Sequence, residues 1–338
     1  MTNMNTTLNL KNIPKIVGIH GKKMFNECMG ILNYTRWPIY ISGPSGSGKS
    51  IIAMNLAKKY AQENNVPAYY VQLSPEQTKT SLILGLRLEN GSLVVKNGVV
   101  ADCMEKGGII IVDEATHSMQ EVLLMFNSIL DRTSVTAIGD KIIYAHENFR
   151  IVFCSNTSQY AGNIKLPQSF AQRLVAFNFD YPGFDDEVEI TKKIVDDEMN
   201  LEFDLPDVMV KYIVNLMREI RSEQFPLSVR NAAIATVMLN IEYDEELANN
   251  VIINDYFTNG TMVESIRKNI AKKIFNCDIR DISALNGEEV TTFTKVVSHI
   301  GLERFKEIIL QSFMYYLDID LGFYDIEQTR EKLKNSIV

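Results

Sequence analysis

The chain has 338 residues, of which 46% are hydrophobic and 22% charged, and its formal net charge is −8. This length favours about two domains, and the composition is that of a folded globular protein. The negative charge argues against a general nucleic-acid coat, because phosphate binding normally requires a basic surface. No stretch reaches the ~20 apolar residues of a membrane helix, and the N-terminus lacks a basic region followed by an apolar run. We therefore expect a cytoplasmic protein without a membrane span.

A phosphate-binding loop is indicated where Gly43-x4-Gly48-Lys49-Ser50 lies between a short apolar strand and a helical pattern. Glycines let backbone N–H groups converge on phosphate oxygens, Lys49 adds positive charge at the β- and γ-phosphates, and the Ser50 hydroxyl can ligate Mg²⁺. The dipole of the following helix favours the same anion. The expected nucleotide-binding residues are Gly43, Pro44, Ser45, Gly46, Ser47, Gly48, Lys49, Ser50 and Ile51. A chance Gly/Ser-rich turn is the alternative, and the flanking strand and helix argue against it.

A pair of acidic residues ends a buried strand further along the chain. The run GGIIIVDEATHS, residues 107–118, has four apolar residues after two glycines, which predicts a buried parallel strand that ends in Asp113-Glu114. The carboxyl ends of such strands line the crevice where α/β sheets bind ligands. Asp113 is expected to hold Mg²⁺ through its water shell, and Glu114 to polarise the attacking water. The alternative is the enrichment of acids at a helix N-terminus.

A third strand also ends on a polar side chain. In RIVFCSNTSQY, residues 150–160, an apolar strand runs directly into Asn156. Asn156 could be an ordinary turn residue, since asparagine tolerates the left-handed conformation. If this strand lies beside the one that ends in Asp113, the amide reaches the same crevice and can hold the attacking water against the γ-phosphate.

These motifs, in this order, resemble those of the AAA+ ATPases. Residues 71–132 are similar to the MoxR-like branch, in which a β-hairpin interrupts the helix after the second strand, and residues 137–156 to its hairpin ahead of the fourth strand. Residues 156–182 are similar to the gas-vesicle protein N subgroup and to the smaller ATPase subunit of cobaltochelatase. The resemblance covers roughly residues 14–240.

The resemblance also assigns roles to four polar residues. It makes Asn156 the sensor-1 residue and Arg173, in FAQRL, an arginine finger that reaches the γ-phosphate of the neighbouring subunit. Arg132, in SILDRTS, is a rival or accessory finger, and Arg173 could instead be a surface residue at a helix end. Arg230, in PLSVRNAA, matches sensor 2, in the first turn of a helix that Ser228 is expected to cap.

The second half of the chain is predicted to be helical. Met209, Ile213, Leu216 and Ile220 recur at helical spacing, and Leu302, Phe305, Ile309 and Tyr316 do so near the C-terminus. The latter stripe could line a groove for a partner, but the core interpretation is favoured. We expect an α/β AAA+ P-loop αβα sandwich, with a parallel sheet and inserted β-hairpins, over residues 1–182, an α-helical lid over 183–276 and a helical C-terminal extension over 277–338.

The implied activity is hydrolysis of ATP, with Mg²⁺, to ADP and phosphate. Glu114, Asn156, Arg173 and Arg230 are its expected catalytic residues, and Ser50 and Asp113 hold the metal. The resemblance further implies a homo-oligomeric, hexameric ring that remodels a protein client, with a von Willebrand A domain protein as a candidate partner. A slow nucleotide-dependent scaffold or switch is the alternative. A nucleic-acid motor ranks last, because the inserts lack interleaved basic and aromatic residues.

Overall fold

The computed structural model of the chain describes residues 7–11, 13–89, 92–138, 141–156, 165–198, 204–222, 227–243 and 287–320. The chain divides into two compact units, Met1–Pro182 and Gly183–Val338. The expected boundary between lid and extension, at 276/277, lies outside the described residues and stays a prediction. None of the helices in the described ranges has the length and apolar character to cross a membrane.

The first unit alternates strands and helices. Its strands are β1 (Ile39–Gly43), β2 (Ala68–Gln72), β3 (Leu84–Glu89), β4 (Ser92–Asn97), β5 (Ile109–Asp113), β6 (Val135–Ile138), β7 (Lys141–Tyr144), β8 (Arg150–Asn156) and β9 (Val175–Asn178). Its helices are α1 (Ile19–Tyr34), α2 (Lys49–Asn64), α3 (Lys79–Ile83), α4 (Val99–Lys106), α5 (Gln120–Leu130) and α6 (Gln168–Ala171), with a 3-10 turn at Ala115–His117.

Five of these strands form one parallel sheet, in the order β2-β5-β8-β1-β9. The other strands form two antiparallel hairpins, β3 with β4 and β6 with β7. The first hairpin lies between α3 and α4, and the second precedes β8. The predicted α/β fold, with a parallel sheet and two inserted hairpins, is therefore confirmed.

The sheet is buried on both faces, which explains the uninterrupted apolar run of β5. Ile109 and Ile111 pack in one core with residues of α1 and α2, while Ile110 and Val112 pack in another with residues of α4 and α5. Successive side chains of a strand point to opposite faces, so a strand covered by helices on both sides needs apolar residues at every position. The result is the expected three-layer αβα arrangement.

The described residues of the second unit form helices and the segments that connect them. Its helices are α7 (Phe184–Glu198), α8 (Asp207–Ser222), α9 (Val229–Glu242), α10 (Gly287–Ile300) and α11 (Leu302–Asp320). Met209, Ile213 and Leu216 of α8 share one core with Phe305 and Ile309 of α11. For these two residues of the C-terminal stripe, the core interpretation is therefore confirmed.

A buried carboxylate links α7 to α8 in this unit. The side chain of Glu187 is 0% exposed and forms ion pairs with Arg218 and Arg221, at nitrogen to oxygen distances of 2.9 and 2.7 Å. Arg221 also donates to the carbonyl oxygen of Leu227, at 2.6 Å, just ahead of α9. The charge of the carboxylate is thus matched by two guanidinium groups, as a buried carboxylate requires.

Candidate nucleotide-binding site

The predicted site residues come together because three neighbouring strands end at the same edge of the sheet. Strand β8 pairs with β5 on one side and with β1 on the other, and its last residue, Asn156, is in register with Gly43, the last residue of β1. The expected adjacency of the Asn156 and Asp113 strands is therefore confirmed. Asn156 lies between the phosphate-binding loop and the acidic pair.

The loop between β1 and α2 has a backbone that requires glycine. Gly46 and Gly48 have φ values of 71° and 101°, in the left-handed region that glycine adopts at little cost. At Gly43, an added Cβ would lie 2.0 Å from the carbonyl oxygen of Phe179. The Tyr181 hydroxyl also donates to the carbonyl oxygen of Ser45, at 2.9 Å, so residues after β9 support the loop.

Lys49 is placed at the centre of the site. The residue is 7% exposed, and its Nζ donates to the carbonyl oxygen of Pro44, at 2.6 Å, and to Oδ1 of Asn156, at 3.0 Å. Burial lowers the pKa of Lys49 from its ordinary value, while acidic groups around it, including Glu114, act in the opposite direction. The ammonium group is therefore held between the loop and the polar end of β8.

The carboxylate of Asp113 accepts three hydrogen bonds. Its Oδ2 accepts from the Ser50 hydroxyl, at 2.8 Å, and from the Tyr70 hydroxyl, at 3.0 Å, and its Oδ1 accepts from the backbone N–H of Glu114, at 3.0 Å. Burial, together with the charge of Asp113, raises the pKa of Tyr70, so the phenol stays a protonated donor. The expected partnership of Ser50 and Asp113 is thus a direct contact.

Glu114 follows in a strained backbone conformation. Its φ of 54° and ψ of 40° are left-handed, which is uncommon for residues other than glycine and is often found at functional sites. Nδ2 of Asn156 lies 3.3 and 3.5 Å from the two carboxylate oxygens, and Nδ1 of His117 lies 3.2 Å from Oε2. Burial raises the pKa of Glu114, and His117 is the main influence in the opposite direction.

Arg173 and its rival Arg132 are residues of the first unit that take no part in this cluster. Arg173 follows α6 and donates from Nε and Nη2 to the carboxylate of Asp131, at 2.9 and 3.3 Å, with its side chain 29% exposed. Arg132 is exposed just after α5. Arg230 is exposed in the first turn of α9, where Ser228 is the N-cap residue as expected. It belongs to the second unit.

Sequence reasoning missed two side chains of the site. Tyr70 lies on β2, the edge strand next to β5, and nothing in its own motif indicates that its hydroxyl reaches Asp113. His117 had a usable signal, because it follows Glu114 by three residues in DEATHS and a single helical turn brings such residues together.

The residues of the site fit a magnesium–nucleotide complex. The Ser47 hydroxyl is buried in the loop and has no hydrogen-bond partner among the residues that the structure describes. A buried hydroxyl normally has a partner, and a phosphate oxygen would supply one. Lys49 offers a cation, and the hydroxyl and carboxylate of Ser50 and Asp113 are oxygen ligands of the kind that Mg²⁺ prefers.

Comparison with known proteins agrees with this geometry. Residues 38–174 match the family described as AAA domain (dynein-related subfamily). Protein CbbQ of Hydrogenophilus thermoluteolus is 26% identical over 46% of this chain and 57% of its own. The gas vesicle ATPase GvpN of Haloferax mediterranei is 26% identical over 54% of this chain and 56% of its own. The chain thus spans just over half of the length of these relatives.

Among solved structures, NtrX of Brucella abortus in complex with ADP has 18% identity and a TM-score of 0.48, and the match covers 96% of this chain and 70% of that chain. The parallel sheet and the cluster of Lys49, Ser50, Asp113, Glu114 and Asn156 at its strand ends define a P-loop nucleotide-binding protein. Residues 38–174 match a AAA domain, and the similarity to CbbQ and GvpN confirms the predicted resemblance to AAA+ ATPases of the MoxR-like branch.

Proposed function

We propose that this protein hydrolyses ATP to ADP and phosphate, with Mg²⁺, at the edge of the sheet where β1, β5 and β8 end. The observation that carries the proposal is the connected set of Lys49, Asn156 and Glu114 beside the pair of Ser50 and Asp113. Phosphoryl transfer to water needs a cation that binds phosphate, a pair of metal ligands and a carboxylate that activates water. This hydrogen-bonded cluster contains all three.

The role of each residue follows from its contacts. Lys49 and the loop backbone bind the phosphates, and Ser50 and Asp113 hold the metal, which supplies neutralisation of charge on the phosphates. Glu114 takes the proton of the attacking water, and Asn156, which contacts both Lys49 and Glu114, orients that water between them. A general base of raised pKa is better matched to neutral pH, which suits Glu114 to this task.

The proposal includes a ring, hexameric by resemblance to the family, with Arg173 acting in the site of the neighbouring subunit. The guanidinium is partly exposed and is held by hydrogen bonds to Asp131 and the carbonyl oxygen of Ser169. Such hydrogen bonds would reduce the entropy lost when the side chain meets a phosphate. Arg230 of the second unit acts as sensor 2. The ring works on a protein client in the cytoplasm, and a von Willebrand A domain protein is the candidate partner.

A mixing experiment tests this function. Arg173→Ala and Glu114→Gln should each abolish turnover, and a mixture of the two should regain part of it. In a mixed ring, an intact arginine and an intact glutamate meet across some interfaces. Arg132→Ala separates the two candidate fingers, since it removes the exposed rival arginine and should keep most of the activity if Arg173 is the finger.

The two possible failures have different meanings. If mixing never restores turnover while the subunits are seen to exchange, Arg173 does not act in trans. If the turnover per subunit of the unmodified protein is independent of concentration and the protein stays monomeric in ATP, the ring is wrong and the nucleotide-dependent switch becomes the better interpretation.

A further inference from the structure

Strand β2 contains two adjacent tyrosines, and the hydroxyl of each donates a hydrogen bond to an aspartate. The Tyr69 hydroxyl donates to Oδ2 of Asp102, at 2.9 Å, and the Tyr70 hydroxyl donates to Oδ2 of Asp113, at 3.0 Å. Neighbouring side chains on a strand point to opposite faces, so the two hydrogen bonds lie on opposite sides of the sheet. Asp102 is on α4, away from the strand ends, whereas Asp113 lies in the nucleotide-binding cluster.

Tyr70 and Ser50 donate hydrogen bonds to the same oxygen of Asp113. Both hydroxyls donate to Oδ2 of Asp113, and the backbone N–H of Glu114 donates to Oδ1. A serine hydroxyl can donate one hydrogen bond, and Ser50 donates it to Asp113. The lone pairs of the Ser50 oxygen therefore remain available to a metal ion. Rotation of the Asp113 carboxylate would break this hydrogen bond and let the Ser50 hydroxyl turn away from the metal site.

We propose that Tyr70 is a positioning residue for magnesium, because its hydroxyl fixes the carboxylate of Asp113, and through it the Ser50 hydroxyl, in the arrangement that receives the metal of the magnesium–nucleotide complex. This inference rests on the proposed function, which takes Ser50 and Asp113 as the metal-holding pair. Groups that hydrogen-bond to metal ligands orient those ligands, and their removal commonly weakens metal affinity by about 10- to 100-fold.

The test compares Tyr70→Phe with Tyr69→Phe in the full chain. Each variant deletes one phenol hydroxyl that bonds to an aspartate from the same strand, so general effects on β2 are shared. The affinity for a fluorescent ADP analogue is measured in EDTA and at a series of Mg²⁺ concentrations. The readout is the factor by which Mg²⁺ tightens nucleotide binding, together with the Mg²⁺ concentration that gives half of this effect.

We expect Tyr70→Phe to bind the analogue in EDTA within about twofold of the unmodified protein. The Mg²⁺ concentration for half effect should rise about tenfold or more, the lower end of what loss of a supporting hydrogen bond causes. Tyr69→Phe should leave both quantities unchanged. The two variants would then differ in the Mg²⁺ dependence of nucleotide binding. A general loss of stability would not produce such a difference.

Each other outcome overturns a stated part of the argument. If Tyr70→Phe matches Tyr69→Phe in its Mg²⁺ dependence, Tyr70 does not position the metal pair, and the proposed function is untouched. If Tyr70→Phe loses affinity in EDTA as well, its hydroxyl has a structural role and the inference is wrong. If Mg²⁺ has no effect on nucleotide binding in the unmodified protein, the assignment of Ser50 and Asp113, and with it the proposed function, fails.

Discussion

Replacement of Asn156 by alanine tests the centre of the proposed site. This amide accepts a hydrogen bond from Nζ of Lys49, at 3.0 Å, and donates toward the carboxylate of Glu114, at 3.3 and 3.5 Å. Truncation to alanine removes both contacts and leaves the strand backbone as it is. In the proposed mechanism, it removes the group that orients the attacking water.

The size of the effect follows from these distances. The bond to Lys49 involves a charged donor at normal length, and such bonds contribute about 1.5–3 kcal/mol. The contacts to Glu114 are near the upper limit of hydrogen-bond length and add little on their own. If this energy acts on the transition state, turnover should fall about 10- to 100-fold, since about 1.4 kcal/mol corresponds to a factor of ten.

The assay is steady-state release of phosphate from ATP, combined with the affinity for an ADP analogue. We expect kcat to fall while nucleotide affinity changes by about threefold or less, because the loop and Lys49 stay in place. Asn178→Ala is the matched control. Asn178 ends β9, the other neighbour of β1, and it is exposed. That variant should keep its turnover.

Two results would refute this reasoning. Turnover of Asn156→Ala within about threefold of the unmodified protein would mean that the amide does no work in the transition state. An equal loss of turnover and of nucleotide affinity would mean that Asn156 serves ground-state binding, or the structure of the loop, rather than the chemical step.

Three further predictions concern Glu187, Gly43 and Glu114. Glu187→Gln should destabilise the second unit by about 3 kcal/mol in denaturant unfolding, because it leaves two arginines without their carboxylate, whereas the exposed Glu189→Gln should be neutral. Gly43→Ala should abolish nucleotide binding, whereas Gly30→Ala, which meets no atom within 4 Å, should retain it. Turnover should decline on acidification at a pH above the ordinary glutamate value of 4.5, because the ionised carboxylate of Glu114 is the working form and burial raises its pKa.

Each of these predictions has an outcome that contradicts it. A fully stable Glu187→Gln would show that the ion pairs contribute nothing beyond their own desolvation cost. Normal binding by Gly43→Ala would mean that the backbone after β9 moves aside easily. Turnover that stays constant down to the ordinary range of a carboxyl group would argue against Glu114 as the proton acceptor.

Local motifs in the sequence predicted most residues of the candidate site. The spacing of Gly43, Gly48, Lys49 and Ser50 identifies a phosphate loop because backbone geometry and a single lysine suffice for that function. The run that ends in Asp113 predicted a buried strand because a strand covered on both faces must be apolar at every position. These signals depend on residues close together in the chain, so one sequence is enough to read them.

Only the tertiary structure decided which distant residues meet. The strand order placed β8 between β5 and β1, so that Asn156 contacts both Lys49 and Glu114, and it placed β2 beside β5, so that Tyr70 reaches Asp113. Pairing between strands far apart in the chain is set by the packing of the whole sheet, and no local pattern records it. The sequence by itself determined the loop, the acidic pair and the buried strands, and the folded sheet determined how they combine into one site.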